Sequence, residues 1–178
     1  MQLANNEELD TFLKIHPSIK MMEVLMIDMN GIIRCKRIPR SEFAELFTEG
    51  LKSPASTVLL NVKGEFCDEL DKADLDGDPD RLIRPIKNTL SIIPWLESET
   101  AQVLSTFTEL NGEPNLFDSR NVLINSLKPL YALGLKLVVA TELEFYLIKK
   151  GDSTRPEPLL SKIPGTNRDQ SGIQYAMP

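Results

Sequence analysis

The apolar positions of this chain change their period several times, and each change marks an element. Over residues 6–14, NEELDTFLK, the side chains Leu9, Phe12 and Leu13 recur at helical spacing, which predicts a short helix closed by His16-Pro17-Ser18. Residues 21–39, MMEVLMIDMNGIIRCKRIP, place two β-prone runs around Asn30-Gly31, the pair best suited to the positive φ angles of a tight turn, and predict a β-hairpin. Pro39 stops its second strand, and Ser41 is placed to cap a helix through SEFAELFTE that Gly50 closes. A strand near Thr57–Val62 and an acidic loop over residues 68–80 follow. Three more short strands are predicted in RLIRPI, TLSIIPW and AQVLSTFTE, and NGEP at 111–114 reads as a turn. From Ser119 onward Val122, Leu123, Leu127, Leu130 and Leu133 share one helical face, with Pro129 kinking the helix and Gly134 ending it. LKLVVATELEFYLIKK reads as a strand, apolar at first and then alternating. After Lys150 the chain is rich in Pro, Gly, Ser and polar residues without a sustained period, so loop or partly disordered chain is expected there. A hairpin crossed by a helix, further strands and a later α–β unit together make an α+β fold.

Bulk properties narrow the functional classes. A chain of 178 residues suffices for one good-sized domain, or for one domain and part of another. The net charge of −6 and the lack of a basic, aromatic-interleaved stripe argue against a nucleic-acid partner. The first residues, MQLANNEELD, do not resemble a signal peptide, and the longest apolar stretches are too short to span a bilayer. The expectation is a cytoplasmic protein with no membrane partner. Cys35 and Cys67 have neither metal-type spacing nor the makings of a disulfide framework, which fits a reducing compartment. His16 is the single histidine, so a multi-histidine zinc site is excluded and a His-based triad has no obvious second member.

Carboxylates are therefore the candidates for chemistry. In the acidic loop, Asp74, Asp76 and Asp78 alternate like the start of a calcium-binding EF-hand loop. Pro79 stands where that loop needs its turn glycine and Pro85 where it needs a bidentate Glu, so a solvated surface loop is the better reading. Glu142-Leu143-Glu144 is more pointed. Residues two apart on a strand project from the same face, and two adjacent carboxylates repel unless a cation or proton lies between them. Hard ions such as Mg²⁺ or Mn²⁺ take oxygen ligands of this kind. A solvated strand face carrying two glutamates would produce the same spacing.

The order of motifs resembles the N-terminal part of the glutamine synthetase family, and most of all its γ-glutamylpolyamine synthetase branch. ELEFYL is similar to the Glu-x-Glu-Phe strand that opens the family's catalytic domain. Asp28, Gly31, Arg34 and Lys36 match its Asp-x-x-Gly-x-x-Arg-x-Lys hairpin, and Asp118 with Arg120 in FDSR resembles its Asp-Pro-Arg. The likeness runs from about residue 20 to about residue 150.

What the resemblance implies is an N-terminal helix at 1–19, a β-grasp domain at 20–113, and the truncated start of the α/β catalytic domain with an irregular tail at 114–178. It also implies an ATP-dependent ligase joining the γ-carboxyl of glutamate to ammonia or an amine, working as a homo-oligomer in the full-length protein. Glu142 and Glu144 then match two ligands of Mg²⁺ or Mn²⁺, and the remaining ligands and most of the ATP site would lie beyond residue 178. Ser53 stands where true glutamine synthetases carry an Asp that helps to bind ammonium, which points to an organic amine as acceptor. Arg120 is expected in local pairing, and Arg34, Lys36 and Arg37 on a solvated hairpin face. The competing class is a non-enzymatic β-grasp module that binds or regulates full-length relatives.

Overall fold

Helix α1 (Asn6–Ile15) begins where Asn5 can cap it: the Asn5 side chain accepts from the Glu8 amide at 3.1 Å. Acidic Glu7 and Glu8 in its first turn and Lys14 in its last suit the helix dipole, and His16 closes it. The computed structural model describes residues 1–65, 77–96, 99–145, 147–151, 154 and 157–170. The acidic loop from residue 68 through Asp76 therefore lies outside the described residues, and so does Cys67. The chain divides into two compact units, Met1–Lys136 and Leu137–Pro178.

In the first unit, strands β1 (Met21–Ile27) and β2 (Ile33–Pro39) form the expected antiparallel hairpin, with Met21 opposite Pro39 and Ile27 opposite Ile33. The turn differs from expectation. Of Asn30 and Gly31, only Gly31 has a positive φ (78°), and its amide bonds the Asp28 carbonyl at 3.0 Å. The Asp28 carboxylate accepts from the amides of Asn30 and Ile32, both at 2.9 Å, and this Asx-type bonding favours a five-residue loop over a two-residue turn.

Ser41 does not cap a helix. Arg40–Glu42 form a 3₁₀ turn, and α2 (Phe43–Thr48) follows with Glu42 at its N-cap and no side-chain cap bond. The Arg40 guanidinium fixes that entry by bonding the carbonyls of Pro17 and Ile19 at 2.9 and 2.8 Å. Gly50 ends the helix as expected, with φ 86° and a backbone so close to β4 that a Cβ would lie 2.8 Å from the Ile83 carbonyl oxygen.

The next strand is also displaced from its expected place. β3 (Leu51–Pro54) pairs antiparallel with β4 (Asp80–Pro85), and Thr57 lies inside a 3₁₀ turn over Ala55–Leu59. β3 is the edge of the sheet, where Pro54, lacking an N–H, is tolerated. Of the apolar residues read as a strand, Val58 and Leu59 are buried by the turn, while Val62 is exposed.

β5 (Ser91–Ile92) is short, and β6 (Thr100–Thr108) is the strand the others share. Its first half runs parallel to β1, its second half pairs antiparallel with β4, and β5 adds on at Ala101 and Gln102. The sheet order is β2-β1-β6-β4-β3, and with the helices this gives the expected α+β class. Alternation on β1 sends Met22, Val24 and Met26 into a core shared with Leu9, Phe43, Leu46 and Phe47 of the helices and with Ile83, Val103 and Phe107 of the other strands.

β2 and β3 are opposite edges of this sheet, yet four hydrogen bonds run from the hairpin to β3 and the segment that follows it. Met29 N donates to Val58 O (3.0 Å), Asn30 Nδ2 to Leu60 O (2.7 Å), Arg34 Nη2 to Asn61 O (2.9 Å) and Lys36 Nζ to Lys52 O (3.2 Å). The sheet is strongly curled.

Helix α3 (Ser119–Ala132) starts at the expected residue and runs through Pro129. Its N-cap, Asp118, is buried. One carboxylate oxygen accepts from Thr106 Oγ1 (2.9 Å) and Phe107 N (2.7 Å), and the other from the amides of Arg120 (2.8 Å) and Asn121 (3.4 Å). Asn121 Nδ2 donates to the carbonyls of Phe107 and Asn115. The helix is thus tied to β6 by polar groups, while Val122, Leu123 and Leu133 of its apolar face are exposed.

In the second unit the strand expected over LKLVVATELEFYLIKK is not formed among the described residues. Among the described residues of that stretch the pairing is a single bridge between Ile148 and Pro158, and a strand without a ladder partner does not hold its form. A second bridge, Lys162 with Asp169, lies in the otherwise irregular tail.

Replacing Asp118 by Ala removes a helix cap and leaves the buried Thr106 hydroxyl and Phe107 amide without their acceptor. The expected cost is about 3 kcal/mol, measured by urea unfolding, with faster hydrogen exchange in α3 than in β1. A loss below about 0.5 kcal/mol would show that the clamp is not needed.

Candidate functional site

The hairpin motif forms a polar cluster held by several hydrogen bonds. The Asp28 side chain is fully buried, and besides two turn amides it accepts from Arg34 Nε at 2.9 Å and pairs with Arg34 Nη2 at 2.8 Å. Burial alone would raise its pKa, but the Ile32 amide, Arg34 and the Asn30 amide outweigh that and hold the carboxyl below its ordinary value of 3.8. Arg34 does not belong to a solvated face. Its side chain is 22% exposed and spans from Asp28 to the Asn61 carbonyl. Arg37 does lie outward, paired across the strands with Glu23.

Behind the hairpin turn lies the segment that carries Ser53. This serine is buried in β3, with its Oγ 3.3 Å from Thr57 Oγ1. Its register partner is Arg81, which forms an ion pair with Glu109. Two residues past the β3–β4 ladder, Asp78 clamps the following turn: Oδ1 accepts from Ser56 N (3.0 Å) and Oδ2 from Ser56 Oγ (2.7 Å), while Pro79 O accepts from Ala55 N (3.2 Å). In the sequence Asp78 falls within the expected solvated loop. The available signal was Gly77-Asp78-Pro79, a tripeptide of strong turn formers.

Glu142 and Glu144 belong to the second unit, and both are exposed. Among the described residues no group of three or more His, Cys, Asp or Glu side chains is placed to hold a metal ion. Two carboxylates are the right kind of donor for a hard divalent ion but too few to surround one. Of two surface clefts in the first unit, one is lined by residues of α1 with Lys87, Asn88 and Leu90, and the other by His16 with Ile19, Ile93 and Glu99. Ser53 lines neither. No helix among the described residues is long and apolar enough to cross a membrane.

No family model matches the chain, but curated proteins do. It is similar to γ-glutamylputrescine synthetase PuuA of Escherichia coli strain K12, at 33% identity over 147 residues, 83% of this chain and 31% of that protein. It resembles the glutamate–isopropylamine ligase of a Pseudomonas species at 33% identity over 124 residues, 68% of this chain and 27% of that protein. The glutamine synthetase of Mycolicibacterium smegmatis is 27% identical over 151 residues, 79% of this chain and 30% of that protein. The chain belongs to the glutamine synthetase family.

The chain spans 31% of the length of the γ-glutamylputrescine synthetase and less than a third of the other two relatives. In this family member the hairpin motif has a structural explanation. Asp28 caps the loop, Gly31 supplies its positive φ, and Arg34 links the loop to residue 61.

Because the folded pKa of Asp28 is depressed, its ionisation stabilises the fold above the unfolded value, and this contribution is lost as pH falls from there through the lower folded value. Unfolding free energy should therefore drop between about pH 5 and pH 2. Asp28→Asn should remove much of that slope and cost about 2 kcal/mol at neutral pH, followed by chemical denaturation. An unchanged pH profile in the variant would contradict this role for the carboxylate.

Proposed function

We propose that the chain is the N-terminal part of an ATP-dependent ligase that joins the γ-carboxyl of glutamate to an amine. In this reading residues 1–19 form an N-terminal helix, residues 20–113 a β-grasp domain and residues 114–178 the start of the catalytic domain. The observation that carries it is the pair of relatives named for glutamyl-amine ligation, each 33% identical to a chain that keeps the order of hairpin, Asp118 junction and Glu142-Leu143-Glu144. The curled α+β unit with its motif-built hairpin supports the domain reading.

Glu142 and Glu144 are proposed as two oxygen donors to Mg²⁺ or Mn²⁺, completed by further carboxylates and by ATP phosphate oxygens. Such an ion would neutralise charge on the transferring phosphoryl group. Ser53 is proposed to lie beside the acceptor. A neutral hydroxyl there favours an organic amine over ammonium, in keeping with a polyamine-type branch. A cytoplasmic, homo-oligomeric ligase is the corresponding whole protein. The alternative of a non-enzymatic β-grasp module is not favoured, since the relatives are named as synthetases and ligases.

The test is a ligase assembled from residues 1–178 and the catalytic portion of the E. coli γ-glutamylputrescine synthetase that lies outside the match. It should release phosphate from ATP only with glutamate and an acceptor, with putrescine or isopropylamine preferred to ammonium. Glu142→Gln and Glu144→Gln should each cut turnover by at least about a hundredfold and raise the Mn²⁺ concentration needed. The 178-residue chain alone should give no turnover. A folded assembly inactive with every amine, or robust turnover by the chain alone, would overturn the proposal.

A further inference from the structure

We infer that Asn111-Gly112 is a site of spontaneous covalent modification, where the asparagine amide leaves as ammonia and the chain keeps aspartate or isoaspartate. The same dipeptide at Asn30-Gly31 is shielded by the fold.

The two dipeptides sit in backbone loops of the same kind. Across residues 28–32 the Asp28 amide donates to the Ile32 carbonyl and the Gly31 amide to the Asp28 carbonyl, both at 3.0 Å. Across residues 109–113 the Glu109 amide donates to the Glu113 carbonyl at 2.7 Å and the Gly112 amide to the Glu109 carbonyl at 2.9 Å. Each Asn precedes a glycine of matching backbone, with φ of 78° at Gly31 and 85° at Gly112, and all four residues are exposed. Neither glycine has a Cβ to hinder attack by its nitrogen, and both stand in open space. Backbone, dipeptide and exposure are therefore shared, and side-chain placement makes the difference.

In the first loop Asp28 Oδ1 takes the amides of Asn30 and Ile32, and Asn30 Nδ2 reaches across to the Leu60 carbonyl at 2.7 Å. That tether holds the nitrogen that would have to leave and draws the carboxamide toward another segment. The residue heading the second loop cannot act as Asp28 does. Glu109 is paired with Arg81 and accepts from Asn115 Nδ2 at 2.8 Å. Asn111 takes the vacant amide instead: its Oδ1 accepts from Glu113 N at 3.0 Å, and its Nδ2 donates to Glu113 Oε2 at 3.2 Å. This Asx turn folds the carboxamide back over the intervening Gly112 peptide, beside the nitrogen that attacks. The Glu113 amide also polarises the side-chain carbonyl and meets the oxyanion that forms on it.

The chemistry needs only water. Gly112 N gives its proton to hydroxide and bonds to Asn111 Cγ. The Cγ–Nδ2 bond then breaks, ammonia leaves with a proton from water, and a succinimide closes. Water opens that ring at Cγ to give aspartate, or at the backbone carbonyl carbon to give isoaspartate. One water is consumed and one ammonia released, with no oxidation. The product adds a negative charge next to Glu113, and the isoaspartyl form inserts a carbon into the backbone leading to Asn115. The Asn115 carbonyl accepts from Asn121 at 3.0 Å, so the start of α3 is what the change loosens.

The test is to age the 178-residue chain in mildly alkaline buffer and follow both Asn-Gly peptides by mass spectrometry with isoaspartyl methyltransferase labelling. In the folded chain the Asn111 peptide should convert at least about tenfold faster than the Asn30 peptide, and in urea the two rates should agree within about twofold. Arg34→Met frees Asn61, next to the Leu60 tether, and should speed Asn30 at least about threefold while leaving Asn111 unchanged. Should that variant fail to fold, the folded and urea rates of the unsubstituted chain decide alone. Folded-state rates that agree within about twofold, or a tenfold preference for Asn111 that persists in urea, would overturn the proposal.

Discussion

A carboxylate with no solvent contact has to be compensated, and Asp28 is compensated by groups that also build the sheet. Two of its partners are amides of the hairpin loop, and the third is Arg34 on β2. Removing the charge from water is costly, and only a full set of donors in good geometry offsets that cost. Satisfying Asp28 therefore fixes the loop shape and points the Arg34 guanidinium at Asn61. The loop so fixed donates to Val58 and Leu60, and the two edges of the sheet meet. An edge whose groups are occupied in this way is less available for pairing with another chain. The segment from Lys52 to Asn61, with Ser53 and its clamp, takes its position from this closure.

The other end of the first unit depends on a similar device. β6 serves three partner strands, and the groups at its far end are collected by Asp118 and Asn121. These side chains hold the start of α3 to the sheet although little of that helix is buried. Its apolar side chains contribute little to holding it there, and the buried hydrogen bonds set its direction. Two acidic residues thus position the segment from Lys52 to Asn61 and the start of α3.

Elements whose pattern is local were legible in the sequence: α1, the β1–β2 hairpin, α3, and strands β4 and β6 all lie where periodicity and turn residues place them. The misreadings share a cause. The loop at Asn30-Gly31 was read from the dipeptide, whereas the neighbouring Asp28 side chain decided its form. Ser41 is a good cap in isolation, but Arg40 bonding back to Pro17 and Ile19 sets another entry to α2. The apolar run Thr57–Val62 has strand composition, yet the ladder partner β4 selects residues 51–54 instead. Arg34 looked solvated because its partners lie 6 and 27 residues away. Glu142 and Glu144 were chosen from alternation and family likeness. Alternation describes a strand only when another strand pairs with it, and no such neighbour is present among the described residues. Asp78 was hidden for the same reason as Arg34, since its partner Ser56 lies 22 residues away.

The most direct test of this closure is amide hydrogen exchange on Arg34→Met, which keeps an apolar stem but cannot bridge Asp28 to Asn61. The Met29 amide, bonded to Val58, and the Ser56 amide, bonded to Asp78, should exchange at least about tenfold faster than in the unsubstituted chain, while the β1–β6 ladder amides keep their protection. If the Met29 and Ser56 amides exchange at unchanged rates, the two edges are held together by something other than the buried carboxylate and its arginine.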